Sequence, residues 1–372
     1  GSSDTRPQPG TVVTPLDGLR SADPSLRVVY ADGGDPRAAA VVAAGCEAAE
    51  VVVGLDWRLE GEHIHPGDIA PILRQTPPPD WLLRLFGRQR LKPLWAPVPG
   101  LMAWITSFAS ARQGGDFSAG DRTTLGLPPD QVALIRAVAA ANPRTVVALM
   151  GGGAILCEEW RDLVPGLLML WYPGQRGGEA LADVLLGRVS PSGRLPFAVP
   201  TREDHLPPFE PRAPQVTYDL WHGYRRLGRD GHPAAFPFGF GLSYSRFEAT
   251  DPEAALHNGD GENARVEVRV SVRNLGPMEA GEVLQVYVEP PGRQVERPVR
   301  ILVAFRRLTL MPGERERVSL GIPLRRLAWF DPGRNGFVVE AGVHRFVVAR
   351  HAEDLSLIHN SEPTRPRLVS RM

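Results

Sequence analysis

The chain has 372 residues, of which 43% are hydrophobic and 23% charged, an ordinary composition for a globular protein of two or three domains. Its formal net charge is zero, so charge gives no reason to expect a nucleic acid or an anionic membrane as a partner. No apolar run approaches the roughly 18 residues that a transmembrane helix needs.

The first part of the chain alternates helix and strand signals. A short helix is predicted from 14–19, with Pro15 in its first turn, and an Ala-rich helix over 35–50. Strands are predicted at 26–30 and 51–55. Strand, helix and strand at this spacing predict a βαβ unit with a parallel sheet.

Residues 66–114 interrupt this rhythm and are predicted to be an insertion. They contain a proline run at 77–79 and several aromatic residues, and we expect one or two helices among them. The aromatics could form a lid or a subunit contact in a homo-oligomer. Packing of the insertion on the surface of its own domain is the simpler interpretation.

The alternation returns after the insertion. An amphipathic helix is predicted at 129–141, with Val132, Ile135 and Ala139 on one face. Buried strands are predicted at 145–150 and 166–171, and we expect further helices at 160–164 and 179–186 and a loop rich in proline and aromatic residues at 200–245.

The pattern changes after Asp251, where apolar and polar residues alternate. This alternation is typical of antiparallel strands that pack one face on a core. Strands are predicted at 264–273, 282–289, 299–308, 316–322 and 343–350. Short strands at this spacing predict a β-sandwich of immunoglobulin or fibronectin type. Residues 356–372 lack any apolar period, resemble a translated sequencing adapter and are expected to be disordered.

Chemistry-bearing side chains crowd the end of the predicted strand at 51–55. Open α/β sheets build ligand crevices where acidic and imidazole groups follow the carboxyl end of a buried strand. The group here consists of Asp56, Glu60, Glu62, His63 and His65.

Six motifs in the same order resemble family 3 of the glycoside hydrolases, the β-glucosidase family. Each motif alone is weak, whereas their order is specific. They lie at 13–19, 53–62, 120–131, 171–178, 191–196 and 237–244, and the β-sandwich resembles the fibronectin type III-like domain that closes many members.

The resemblance implies a TIM-like barrel, an α/β sandwich and a fibronectin-like module. Only the last two are expected here, at 1–248 and 249–355. The catalytic aspartate nucleophile would lie on the missing N-terminal barrel, and the first strand of the α/β domain would precede Gly1. The expected partners are therefore that barrel and a β-linked glucoside or oligosaccharide, and no metal or organic cofactor is implied.

The resemblance also implies a role for Glu62. In the family, the Glu of a Gly-Glu-Gly-aromatic-Asp-Arg motif is the general acid/base, and Glu62 takes that position. His63 replaces the second glycine, and Asp-Arg follows only after the insertion, at 121–122. Glu60 is the alternative acid/base, and a solvated acidic loop is the structural alternative. A raised pKa would mark the true acid.

Asp56, His63 and Arg122 are candidates for substrate binding. Asp121 and Arg122 are predicted to form a local ion pair, with a sugar contact by Arg122 as the alternative. A metal site at His63 and His65 would need further ligands.

The glycines at 151–153 follow a predicted strand, as in phosphate-binding turns. Because the remaining glycine spacing is absent, a tight turn is the simpler interpretation.

The predicted function is the C-terminal part of a retaining β-glycosidase, inactive on its own. A non-catalytic carbohydrate-binding or adhesion module is the alternative.

Overall fold

The computed structural model of the chain describes residues 10–56, 59–60, 122–210, 213–257, 264–292 and 294–354. Within these ranges an α/β part is followed by an antiparallel β part. The following predictions fall outside the described residues: the insertion at 66–114, Glu62, His63, His65, Asp121 and the tail at 356–372.

The α/β part is built on a parallel sheet. Its strands are β1 (Ala49–Gly54), β2 (Thr145–Met150) and β3 (Gly166–Met169), in the order β1-β2-β3. Val51 lies opposite Val147 in the register of β1 and β2. The predicted parallel sheet is therefore confirmed, and the strands end at one common edge.

The described residues of the α/β part form five helices: α1 (Pro15–Ala22), α2 (Pro36–Ala44), α3 (Pro129–Ala141), α4 (Gly177–Leu185) and α5 (Gly223–Asp230). Helix α1 packs on α4, and α2 packs on α3. Helix α3 also packs on the sheet.

The core of the α/β part lies between α3 and the sheet. Val132, Ile135 and Val138 recur every third residue along α3 and are buried against the same cluster as Val147. Ile135 and Val147 are fully buried. The predicted helix at 129–141 is confirmed, because its apolar stripe follows the helical period.

Two predicted elements in the first part of the chain are corrected. No strand forms at 26–30, where Val29 and Tyr30 are exposed and no described strand pairs with them. A strand needs a hydrogen-bonded neighbour, whatever its β-propensity. The helix predicted at 35–50 ends at Ala44, because Gly45 caps it by donating its N–H to Val42 O.

Elements also form inside the predicted loop at 200–245. Helix α5 lies there, and β4 (Val199–Pro200) pairs with β5 (Ala234–Phe236). Leu227 is fully buried and anchors α5. The loop prediction is therefore wrong at α5 and β5, where burial among neighbouring elements orders the chain.

The β part is a sandwich of two three-stranded antiparallel sheets. The strands are β6 (Phe247–His257), β7 (Arg265–Asn274), β8 (Ala280–Glu289), β9 (Ile301–Leu310), β10 (Arg315–Pro323) and β13 (Arg345–Ala349), with a small hairpin of β11 (Trp329–Asp331) and β12 (Gly336–Val338). The two sheets have the orders β10-β7-β6 and β13-β8-β9, and Val270 and Val286, one from each sheet, are buried in one shared core. The predicted fold class is thus confirmed.

The two parts contact each other through the segment that follows β5. Phe238 stacks on Tyr224 at 4.6 Å between ring centroids, and its carbonyl accepts the N–H of Ala352 at 2.9 Å. Gln285 on β8 donates to Gly239 O at 3.0 Å. These contacts join the α/β part to the β-sandwich. None of the described helices is long and apolar enough to cross a membrane.

Candidate functional site

The carboxyl ends of β1, β2 and β3 meet at one edge of the parallel sheet. The loop after β1 carries Asp56 and Glu60, and the loop after β2 begins with Gly151 and Gly152. The chain after β3 carries Tyr172. In open α/β sheets, this edge is where ligand crevices form.

The end of β1 is fixed by a side chain from α3. The Gln131 amide donates to Gly54 O at 2.9 Å and accepts from Gly54 N at 2.8 Å, as a neighbouring strand would. Gly54 has a φ of +150°, and a Cβ there would lie 2.0 Å from Met150 O. Only glycine fits this approach, so the loop leaves the sheet at a defined point.

Asp56 begins a turn that delivers Glu60. Its carbonyl accepts the N–H groups of Leu59 at 3.0 Å and Glu60 at 2.9 Å. The Asp56 side chain is exposed and close enough to Tyr172 for its charge to contribute to the raised pKa of that phenol. Asp56 therefore stays a candidate for substrate binding on the open side of the site.

Glu60 is the most heavily bonded carboxylate at this edge. Its Oε1 accepts from Arg122 Nη1 at 3.1 Å, and its Oε2 accepts from Gly152 N at 2.6 Å and from the Tyr172 hydroxyl. The Glu60 side chain is 18% exposed. The carboxylate therefore joins the loops that follow all three strands.

These contacts keep Glu60 ionised. Burial pushes its pKa upward, but the hydrogen bonds from Tyr172, Gly152 and Arg122 and the charge of Arg122 outweigh it and lower the pKa. Tyr172 shows the reciprocal effect: burial and then the hydrogen bond to the Glu60 carboxylate raise the pKa of Tyr172 to about 12. A general acid needs a proton near neutral pH, so this environment suits a fixed anion better.

Arg122 braces the loop after the insertion, and the ion pair predicted with Asp121 involves a residue outside the described part of the chain. Arg122 pairs with Glu60, and its Nη2 donates to Ala154 O at 2.7 Å and Leu125 O at 3.2 Å. Its side chain is 13% exposed. Its two terminal nitrogens are therefore engaged within the protein, which favours the bracing role over a sugar contact.

The turn after β3 has a strained backbone. Trp171 has a φ of +59°, which is costly for a bulky side chain and is found mostly at functional positions. Its ring packs edge-on against Phe197, with centroids 5.4 Å apart. This turn brings the next residue, Tyr172, back toward Glu60.

The glycines after β2 take part in this site in a way that was not predicted. They lead into an irregular segment before the short 3₁₀ helix at Arg161–Leu163, so no helix N-terminus follows them directly. The N–H of Gly152 bonds an internal anion, Glu60. This arrangement does not favour the phosphate-binding alternative.

Glu62 and His63 lie in the segment outside the described residues. No group of three or more metal-binding side chains occurs in the ranges that the structure describes. Glu60, an acidic neighbour of His63 and His65 in the sequence, is bound to Arg122.

Comparison with known proteins identifies the family. Residues 1–244 match the glycosyl hydrolase family 3 C-terminal domain, and residues 282–352 match the fibronectin type III-like domain. The chain belongs to glycoside hydrolase family 3, as the order of the six motifs predicted, and its β-sandwich is the fibronectin type III-like domain of that family.

Relatives and solved structures agree with this assignment. A β-glucosidase of Rhizobium radiobacter is 38% identical over 246 residues, which cover 63% of this chain and 30% of that enzyme. An exo-α-(1→6)-L-arabinopyranosidase of Bifidobacterium longum is 36% identical over 241 residues, 63% of this chain and 31% of that enzyme. The structure of a family 3 β-glucosidase of Bifidobacterium adolescentis superposes with a TM-score of 0.70 at 26% identity, over 93% of this chain and 44% of that one. The chain thus spans about a third of the length of these curated relatives.

Two contributors to the site were missed from the sequence. Tyr172 and Gly152 both lie within or beside recognised motifs, but neither stood out as chemistry-bearing. Their position directly after predicted strands was the available signal, because residues at that position line the crevice of an α/β sheet.

Proposed function

We propose that this chain is the C-terminal part of a retaining β-glucosidase and that Glu62 is its general acid/base. The proposal is supported by the family match and by β-glucosidases among the relatives. The remaining part of the enzyme would supply the nucleophile and much of the sugar-binding surface. The substrate would be a β-linked glucoside or oligosaccharide.

The observation that carries the proposal is the anchoring of Glu60 at the carboxyl edge of the sheet. Glu62 follows Glu60 by two residues in the sequence, and Glu60 is fixed at the edge where crevices form in open α/β sheets. Glu60 is ionised and engaged with three donors. Of the two glutamates, Glu62 is therefore the better candidate to carry a proton.

The proposed reaction has two steps. Glu62 protonates the glycosidic oxygen while the nucleophile of the preceding domain attacks the anomeric carbon, which releases the aglycone and forms a glycosyl-enzyme. Glu62, now a carboxylate, removes a proton from water, which attacks the same carbon and restores both groups. The two carboxyl groups would lie about 5–5.5 Å apart.

The test begins with the coding sequence upstream of Gly1 and continues with the full-length protein. We expect a barrel domain upstream, hydrolysis of 4-nitrophenyl β-D-glucoside by the full-length protein, and no turnover by residues 1–355 alone. Ordinary turnover by the isolated chain would refute the division of labour. Absence of a barrel would instead favour a carbohydrate-binding or adhesion module.

A second measurement tests Glu62 itself. Glu62→Gln in the full-length protein should reduce the rate far more for an alkyl glucoside than for a dinitrophenyl glucoside, because the poor leaving group depends on protonation. An equal reduction for both substrates would argue against the acid role.

A further inference from the structure

Glu60 and Arg122 stand at the two ends of the segment 61–121. They are 62 residues apart in sequence, yet Arg122 Nη1 and Glu60 Oε1 are 3.1 Å apart. Their side chains are 13% and 18% exposed, so water screens this ion pair less than a surface pair. The ion pair therefore joins the two residues that flank segment 61–121.

Each partner of this pair is also attached to the rest of the domain. Glu60 Oε2 accepts from Gly152 N, in the loop after β2, and from the Tyr172 hydroxyl, after β3. Arg122 Nη2 donates to Ala154 O at 2.7 Å. Glu60 and Arg122, the two residues that flank the segment, are thus fixed to the edge of the parallel sheet.

We propose that Glu60 and Arg122 are positioning residues: their ion pair fixes, at the carboxyl edge of the sheet, the residue two positions before Glu62, and the proton transfer proposed for Glu62 depends on that anchor. This inference rests on the proposed function, because it assigns Glu62 the proton transfer. Two residues of extended chain reach at most about 7 Å, so anchoring Glu60 confines Glu62 to that distance from it.

The contacts of Glu60 separate this role from acid catalysis. Its carboxylate faces only donors in the described part of the chain: a guanidinium, a backbone N–H and a phenol. Among these described groups, a proton on Glu60 could be accepted only by the Tyr172 hydroxyl, which would then give up its own bond to the carboxylate, while the guanidinium and the Gly152 N–H can only donate. Glu60 therefore fits a permanent anion that acts through its neighbour.

The experiment uses the full-length protein with Glu60→Gln, Arg122→Met and the double variant. A matched control is Glu159→Gln, which breaks the exposed ion pair of Glu159 with Arg136 at 3.0 Å. Glu60→Gln and Arg122→Met should each lower kcat by about 100-fold, because displacing a catalytic group by about 1 Å has an effect of that size. The control should retain full activity.

Three readouts distinguish positioning from acid catalysis. The loss in Glu60→Gln should be similar for dinitrophenyl and alkyl glucosides, and the alkaline limb of the pH profile should remain. The double variant should lose little more than either single variant, because the two residues act as one unit. Arg122→Lys should restore part of the activity, since it keeps the charge but loses the forked geometry.

Two results would overturn the proposal. If Glu60→Gln loses activity only with poor leaving groups, Glu60 is itself the acid; if it retains full activity, the ion pair has no positioning role. Should Glu60→Gln fail to fold, Tyr172→Phe removes one donor to the same carboxylate and should lower kcat by a smaller factor for both substrates. Failure of the proposed function looks different: the full-length wild type is inactive, or Glu62→Gln lacks leaving-group dependence.

Discussion

Glu50 is predicted to make the stability of this chain depend on pH. It is the second residue of β1, opposite Val146 of β2, and its Oε1 is buried without a hydrogen-bond partner among the described residues. Burial raises the pKa of Glu50 from an ordinary 4.5 to about 7. The folded chain therefore keeps a proton that the unfolded chain releases.

The sign and size follow from linkage. Between these two pKa values the unfolded state binds fewer protons than the folded state, so stability falls as pH rises from about 4.5 to about 7. One unit of pKa corresponds to about 1.4 kcal/mol. The ionisation of Glu50 therefore lowers the free energy of unfolding by about 1 kcal/mol at pH 5 and by up to about 3 kcal/mol at pH 8.

Glu50→Gln mimics the protonated side chain and removes this dependence. Urea unfolding at pH 5 and pH 8 should show the variant more stable than the parent, with a difference about 2 kcal/mol larger at pH 8. Glu47→Gln is the control, since the Glu47 side chain is 89% exposed. A difference between Glu50→Gln and the parent that is the same at both pH values would refute the reasoning.

Two further predictions concern packing. Alanine at Gly178 would place its Cβ 2.0 Å from Thr14 O, so Gly178→Ala should lower the free energy of unfolding by about 1–3 kcal/mol or more. Alanine at Gly228 in α5 would place its Cβ 4.0 Å from the nearest atoms, those of Val299, so Gly228→Ala should raise the free energy of unfolding by about 0.5–1 kcal/mol. Thermal unfolding compares them, and equal effects would contradict the close approach of α1 and α4. Arg194 and Glu282 form an ion pair at 2.7 Å with side chains 9% and 13% exposed, so Arg194→Met should cost about 3–5 kcal/mol and the double variant with Glu282→Leu distinctly less. A cost below about 1 kcal/mol for the single variant, measured by urea unfolding, would show that the pair is solvated.

The parallel sheet and α3 could be predicted because their residues carry regular signals. In α3, Val132, Ile135 and Val138 recur at helical spacing, and the Asn142-Pro143 pair ends the helix where predicted. In β7, buried valines alternate with polar residues at a period of two. In these elements the local pattern and the tertiary burial agree.

Elements that depend on a distant partner could not be predicted. Residues 26–30 have strand propensity but no described strand beside them. Helix α5 is rich in arginine, and its order depends on the burial of Leu227. Strand β6 contains Asp251, with a φ of +53°, and Pro252, where its register shifts, so its sequence does not look like a strand.

In the candidate site, too, contacts between residues far apart in the sequence could not be predicted. The cluster from Asp56 to Glu60 was recognisable because acidic residues follow a buried strand. The Glu60–Arg122 ion pair was not, because it spans the whole insertion. The ion pair predicted between Asp121 and Arg122 stays a prediction, because Asp121 lies outside the described residues.

The most direct test of the central claim is azide rescue of Glu62→Ala in the full-length protein. If Glu62 is the acid/base of a retaining enzyme, the variant should hydrolyse dinitrophenyl β-D-glucoside slowly, and azide should accelerate turnover because it attacks the glycosyl-enzyme without needing a general base. The product, identified by NMR, should be β-glucosyl azide. Lack of acceleration by azide, or an α-configured product, would contradict the account.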